Sequence, residues 1–124
     1  MQYTTTKRFN PLKREDGAKF YAMPYYGEEI DIRQLANEIS KTCTLTPADV
    51  RAVIEILLDK MPFYLKSSNK IRLDGFGIFK LSFSSEGHEK EEDVSAQDIK
   101  NVRVLFIPSA ELKKELSDIS FTKK

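Results

Sequence analysis

Cysteine and histidine, the residue types that most often do covalent or metal chemistry, occur once each, as Cys43 and His88. A lone histidine excludes a multi-histidine metal site, and a lone cysteine excludes an internal disulfide. The pattern puts Cys43 near the end of a helix and His88 in a polar loop. No motif orients either one as nucleophile, acid or base, so no enzyme activity is expected. Gly75-Phe76-Gly77 is glycine-rich, but the GxxxxGK spacing is absent and no helix pattern follows, so it is not a phosphate-cradling loop. It is expected to be a hairpin turn that presents Phe76 inward. What remains is charge. The net charge is only +1. Residues 84–99 hold Glu86, Glu89, Glu91, Glu92, Asp93 and Asp98 against Lys90 alone, a net −5, so the rest carries +6. One acidic stretch masks a mildly basic body.

The elements that must position these charges follow from hydrophobic spacing. The chain has 124 residues, enough for one domain with a modest core. No apolar run approaches membrane-spanning length and no signal-peptide pattern opens the sequence, from which a cytoplasmic location without membrane contact is expected. Residues 1–30 carry β-formers at Tyr3 to Thr6 and Lys19 to Tyr26, separated by turn signals at Asn10-Pro11 and Glu15-Asp16-Gly17. Pro24 restricts the second of these strands to an edge or a strand end. Asp31 caps a helix bearing Ile32, Leu35, Ala36 and Ile39. Thr46-Pro47 opens a longer one with an apolar stripe at Val50, Val53, Ile54, Leu57, Leu58, Met61 and Leu65. That stripe is wide for so small a domain and suggests a dimer. Pro62 should kink its last turn.

Ile71–Phe83 is expected to form strand, turn and strand. In the second strand Phe79, Leu81 and Phe83 face one way, and Ile78, Lys80 and Ser82 the other. The acidic segment should be flexible or protruding. Ile99–Ile107 is the returning strand, and strict alternation puts Val102, Val104 and Phe106 on one face and Arg103, Leu105 and Ile107 on the other. Pro108-Ser109 starts a short helix anchored by Leu112 and Leu116. Ile119–Thr122 is a further strand candidate, and Lys123 and Lys124 are expected to fray.

From residue 31 to about 117 this order resembles the bacterial HU and integration host factor family of histone-like DNA-binding proteins. The motif Arg72-Leu73-Asp74-Gly75-Phe76-Gly77-Ile78-Phe79 is the most specific part. The helix start Pro108-Ser109-Ala110-Glu111-Leu112-Lys113 is similar as well. The N-terminal unit, the Ser-Phe-Ser-Ser-Glu-Gly run and the C-terminal tail look more like an HU-related subfamily of Bacteroides-type bacteria. In the family resembled, two chains intertwine, helices form the base, and two hairpin arms enter the minor groove and bend DNA with a proline at each tip. Here the arm has no proline and runs acidic. Ser82 and Ser84 stand where arginines usually alternate, and Ala110 replaces a usual lysine.

The resemblance implies an α+β, HU-like fold, with an N-terminal β extension (1–30), a DNA-binding domain (31–118, with the acidic arm at 84–99) and a tail (119–124). It implies a homodimer that binds double-stranded DNA in the nucleoid without sequence preference, with no cofactor, metal or small-molecule substrate. The residues it offers for contact are Arg72, Lys80, Ser82, Ser84, Lys100, Arg103, Lys113 and Lys114. Serine hydroxyls can bind phosphate without adding charge. An alternative is a protein-interaction module that kept the fold and lost strong DNA binding.

Overall fold

A computed structural model describes residues 1–124. In chain order the elements are β1 (Gln2–Phe9), β2 (Ala18–Pro24), α1 (Ile32–Ser40), α2 (Pro47–Lys66), β3 (Ile71–Leu73), β4 (Gly77–Ser85), β5 (Ile99–Pro108), α3 (Ala110–Leu116) and β6 (Thr122–Lys123). They form two units: Asp31–Glu115, and Met1–Ile30 together with Leu116–Lys124.

In the smaller unit the threonine-rich and aromatic stretches pair as antiparallel strands β1 and β2, with Tyr3 opposite Pro24 and Phe9 opposite Ala18. Asn10 starts the connection, its side-chain oxygen accepting from the Leu12 amide at 3.0 Å. Gly17 ends it at φ 75°, a left-handed angle that suits glycine. The two strands form their own sheet, of order β2-β1-β6. The third strand is the C-terminal end, two residues of which lie parallel to β1. It is therefore not frayed: the Lys124 amide donates to the Tyr3 carbonyl at 3.0 Å, and the Lys124 ammonium lies 3.6 Å from the centre of the Tyr25 ring. The paired strand begins at Thr122 rather than Ile119 because β1 offers its free edge there.

The larger unit begins with two capped helices. Asp31 and Gln34 cap α1 reciprocally, at 2.9 and 3.2 Å. Thr46 and Asp49 do the same for α2, and Pro47 occupies the first turn, where its missing N–H is no loss. The helix runs 20 residues through Pro62 to Lys66. Ser68 closes it at φ 68°, with the Asn69 amide bonded to the Tyr64 carbonyl and the Ser68 amide to that of Leu65. That is a Schellman closure. The stripe is only partly covered in the single chain. Ala36, Val50 and Leu65 are buried, whereas Leu57, Leu58 and Val53 (58% exposed) face solvent.

Strands β3, β4 and β5 form an antiparallel sheet in that order. The Asp74-Gly75-Phe76 turn joins the first two, with Gly75 at φ 79° and the Phe76 amide bonded to the Leu73 carbonyl at 2.9 Å. Gly77 is required for a different reason. A Cβ there would overlap the Phe106 ring and the Ile107 carbonyl. Phe76 turns toward that ring, with centroids 5.1 Å apart, and Phe79 stacks on it at 4.8 Å. Phe76 nonetheless stays partly exposed in the single chain. Ser109 caps α3, accepting from the Leu112 amide at 3.1 Å.

Candidate nucleic-acid interface

Directly paired residues in an antiparallel ladder project to the same face. Arg72 pairs with Ile78, which pairs with Ile107. Lys80 pairs with Leu105, Ser82 with Arg103, and Ser84 with Lys100. Positions 78, 80, 82 and 84 alternate regularly on β4, so all these pairs share one face. Six of the eight residues expected to contact DNA therefore lie together: Arg72, Lys80, Ser82, Ser84, Lys100 and Arg103. Arg72, Lys100 and Arg103 are exposed, and Lys80 and the two serines half-buried. Lys113 and Lys114 sit on α3, outside this ladder.

The opposite face is apolar. It carries Phe79, Leu81 and Phe83 on β4 and, by pairing, Phe106, Val104 and Ile99 on β5. Phe83, Val104 and Ile99 are exposed in the single chain.

Lys100 is on the cationic face for a reason that strict alternation does not supply. Between Ser82 and Ser84 the β4 strand advances two residues, while β5 goes from Arg103 to Lys100, an advance of three. The extra residue is a β-bulge, with Asn101 and Val102 together opposite Phe83. Asn101 has φ 57°, the left-handed angle found at the first position of one bulge type. Alternation alone would put Lys100 with Val102 and Val104. The signal was present in the spacing: Ile99, Val102 and Val104 share an apolar face although 99 and 102 differ by an odd step. Asn101, which tolerates this conformation, sits between them.

Electrostatics along the ribbon change sign abruptly. The Lys100 ammonium is ion-paired with Glu86, both groups being well exposed. Glu86 is thus the acid that reaches the cationic face, a role the sequence did not separate from those of its five acidic neighbours. Beyond it the loop closes on itself. The Glu86 amide donates to the Asp98 carbonyl at 3.0 Å. The Asp98 carboxylate accepts from the Ser95 amide at 2.8 Å and pairs with His88 Nε2 at 3.0 Å. These bonds, the His88 contact foremost, hold the Asp98 carboxyl below its usual 3.8. Two short turns, Glu91–Asp93 and Ala96–Asp98, complete the loop. The segment expected to be flexible or protruding is therefore hydrogen-bonded at its base and within itself. His88 is exposed but has a partner.

Comparison with solved structures places this architecture. A crystal structure described as a bacterial DNA-binding protein of Bacteroides vulgatus aligns with 98% of the chain, at TM-score 0.63 and 11% identity. The alignment spans about half of that protein, 47% of its length. A cocrystal of the Anabaena HU protein with DNA aligns with 73% of the chain and all of HU, at TM-score 0.57 and 14% identity. At these identities the likeness is one of fold. No curated protein sequence matches. The family model described as HU-HIG, an HU domain fused to a wHTH, Ig or glycine-rich motif, matches residues 1–123. The capped helix pair, the Gly-Phe-Gly turn and the two-faced ribbon are thus parts of an α+β, HU-like fold, and the chain belongs to the HU-HIG family.

Proposed function

We propose that this chain binds double-stranded DNA as a nucleoid protein, without sequence preference, through phosphate contacts from the stem of its ribbon. The observation that carries this proposal is the shared face of Arg72, Lys80, Arg103 and Lys100, interleaved with the Ser82 and Ser84 hydroxyls. Such a face neutralises phosphates and releases condensed counterions, a driving term that carries no sequence information. Lys113 and Lys114, on α3 outside that ladder, are proposed as further phosphate contacts. The family fold and the DNA cocrystal of a structural neighbour support the same conclusion. The chemistry is binding rather than catalysis.

The binding unit is a homodimer. The exposed stripe of α2 and the apolar ribbon face are more than a soluble monomer leaves bare, and a second copy offers the complementary surface. Light scattering at micromolar concentration should give twice the mass of one chain, 14.3 kDa; the mass of one chain would refute the dimer.

The acidic loop stays out of the groove. The minor groove is negative and draws in arginine and lysine, whereas residues 84–99 carry −5 and no proline wedge. The duplex is therefore bent little. The test is fluorescence anisotropy with random-sequence duplexes across a salt series, alongside a bending assay. The logarithm of affinity should fall with that of salt by about 0.9 for each phosphate neutralised. Affinity that ignores salt, or that differs widely among sequences, contradicts the mechanism.

One observation favours a second reading. Glu86 already occupies Lys100, as it would in an HU-fold module that docks a basic protein through its acidic loop. Absence of duplex binding at low salt would favour that module.

A further inference from the structure

Two non-glycine residues have a left-handed backbone, Ser68 and Asn101. Ser68 is accounted for by the end of α2, whose last carbonyls it helps to satisfy. Asn101 lies inside β5, where no chain reversal requires such an angle. What it accomplishes is a change of face. Arg103 lies opposite Ser82 and Lys100 opposite Ser84, although three residues separate one pair and two the other.

We infer that Asn101 is a positioning residue for DNA binding: its bulge turns Lys100 onto the face of Lys80 and Arg103, where the ammonium meets phosphate. The inference rests on the proposed DNA binding and extends it to a residue that touches no DNA itself. Without the bulge the ladder beyond Val102 slips by one residue. Lys100 then comes opposite Ser85 and projects with Phe83 and Val102, while Ile99 moves onto the cationic face. Asparagine and glycine accept the left-handed angle, whereas a β-branched residue there is a steric outlier. On the cationic face Lys100 is paired with Glu86, an exposed and displaceable partner. Phosphate replaces that carboxylate on binding, and no bond is made or broken beyond the ion pair.

Three variants separate face from mere integrity of the strand. Asn101→Val should lower duplex affinity by the same factor as Lys100→Ala and make the salt slope shallower by about one. The double variant should show no further loss. Asn101→Gly should retain wild-type affinity and slope. Deletion of Asn101 is the decisive member. It removes the extra residue, leaves Lys100 opposite Ser84 in a regular ladder, and should bind as the wild type does. Thermal melts establish that each variant folds, and if Asn101→Val does not fold, the glycine and deletion variants still decide. Loss of binding by the deletion variant, or an unchanged salt slope in folded Asn101→Val, overturns the inference while DNA binding by the wild type stands. A wild-type chain that binds no duplex removes DNA binding itself, and with it this role for Asn101.

Discussion

The stem and the tip of the ribbon are built from one pair of strands and behave as opposites. The stem is an antiparallel ladder, bulged once at Asn101, with an aromatic seam at Phe76, Phe79 and Phe106 and a cationic face on the other side. The tip is the loop from Glu86 to Asp98, in which Asp98 is held by Ser95 and His88, and Glu86 pairs with Lys100. In the family resembled, the tip is the basic, groove-entering part. Here positive charge is withdrawn to the stem and the tip is closed by its own hydrogen bonds. Under the proposed function, affinity and insertion become separable properties of one hairpin.

The largest expected effect comes from stripping the stem. Replacing Lys80, Lys100 and Arg103 together with alanine should weaken binding to every duplex by about a thousandfold, taking roughly tenfold per charge-assisted contact. The salt slope should fall by about three. A variant that instead changed preference among sequences would put base readout at the stem.

The glycines sharpen the comparison next. Gly77→Ala at the root of the stem meets the Phe106 ring and the Ile107 carbonyl, and should cost about 1–3 kcal/mol in a thermal or denaturant melt. Gly87→Ala in the tip meets nothing within 4 Å and should stay within about 0.5 kcal/mol of the wild type. Equal costs at the two sites would mean that stem and tip are packed alike.

A smaller change is expected from neutralising the tip. Glutamine at Glu89, Glu91, Glu92 and Asp93 together should strengthen DNA binding a few-fold at low salt and less at high salt, because the repulsion removed is screened. Unchanged or weaker binding would show that the tip does not oppose DNA. Glu86→Gln should add to the gain by freeing Lys100, with competition binding as the measurement.

The smallest effect is the pH response of the loop. Asp98 titrates below its usual 3.8, chiefly through its bond with His88. A carboxyl depressed on folding contributes fully above its unfolded value, and the contribution is lost as pH falls through the folded one. The Ser95 amide should therefore lose hydrogen-exchange protection only as pH falls below 3.8, while amides of the stem keep theirs. Asp98→Asn should show that loss of Ser95 protection already at neutral pH.

Much of this was legible from local chemistry. Asp31 with Gln34 and Thr46 with Pro47 announce their helices because a helix start is a matter of residue type at a fixed spacing; the reciprocal bond of Asp49 to Thr46 came from the structure. Arg72–Phe79 announces the turn, since Gly75 needs its angle and Gly77 its space. Features that depend on distant pairing were not legible. The strand candidate at Ile119–Thr122 settles at Thr122 and Lys123 only because β1 has an open edge there: these residues pair with Gln2 and Tyr3, 120 residues earlier. The bulge at Asn101 shifts by one residue a face that strict alternation had placed correctly from Arg103 onward. Lys100 was identified as a contact residue, but its face and its carboxylate partner followed only from that shift.

The most direct test of stem binding with an excluded tip is a backbone-amide NMR titration of the chain with a short random-sequence duplex. The signals of Lys80, Ser82, Ser84, Lys100 and Arg103 should move together and saturate, while those of Glu89 to Asp93 stay in place. Saturating shifts at Glu89 to Asp93, with the stem signals unmoved, would contradict the proposal and make the tip the binding element.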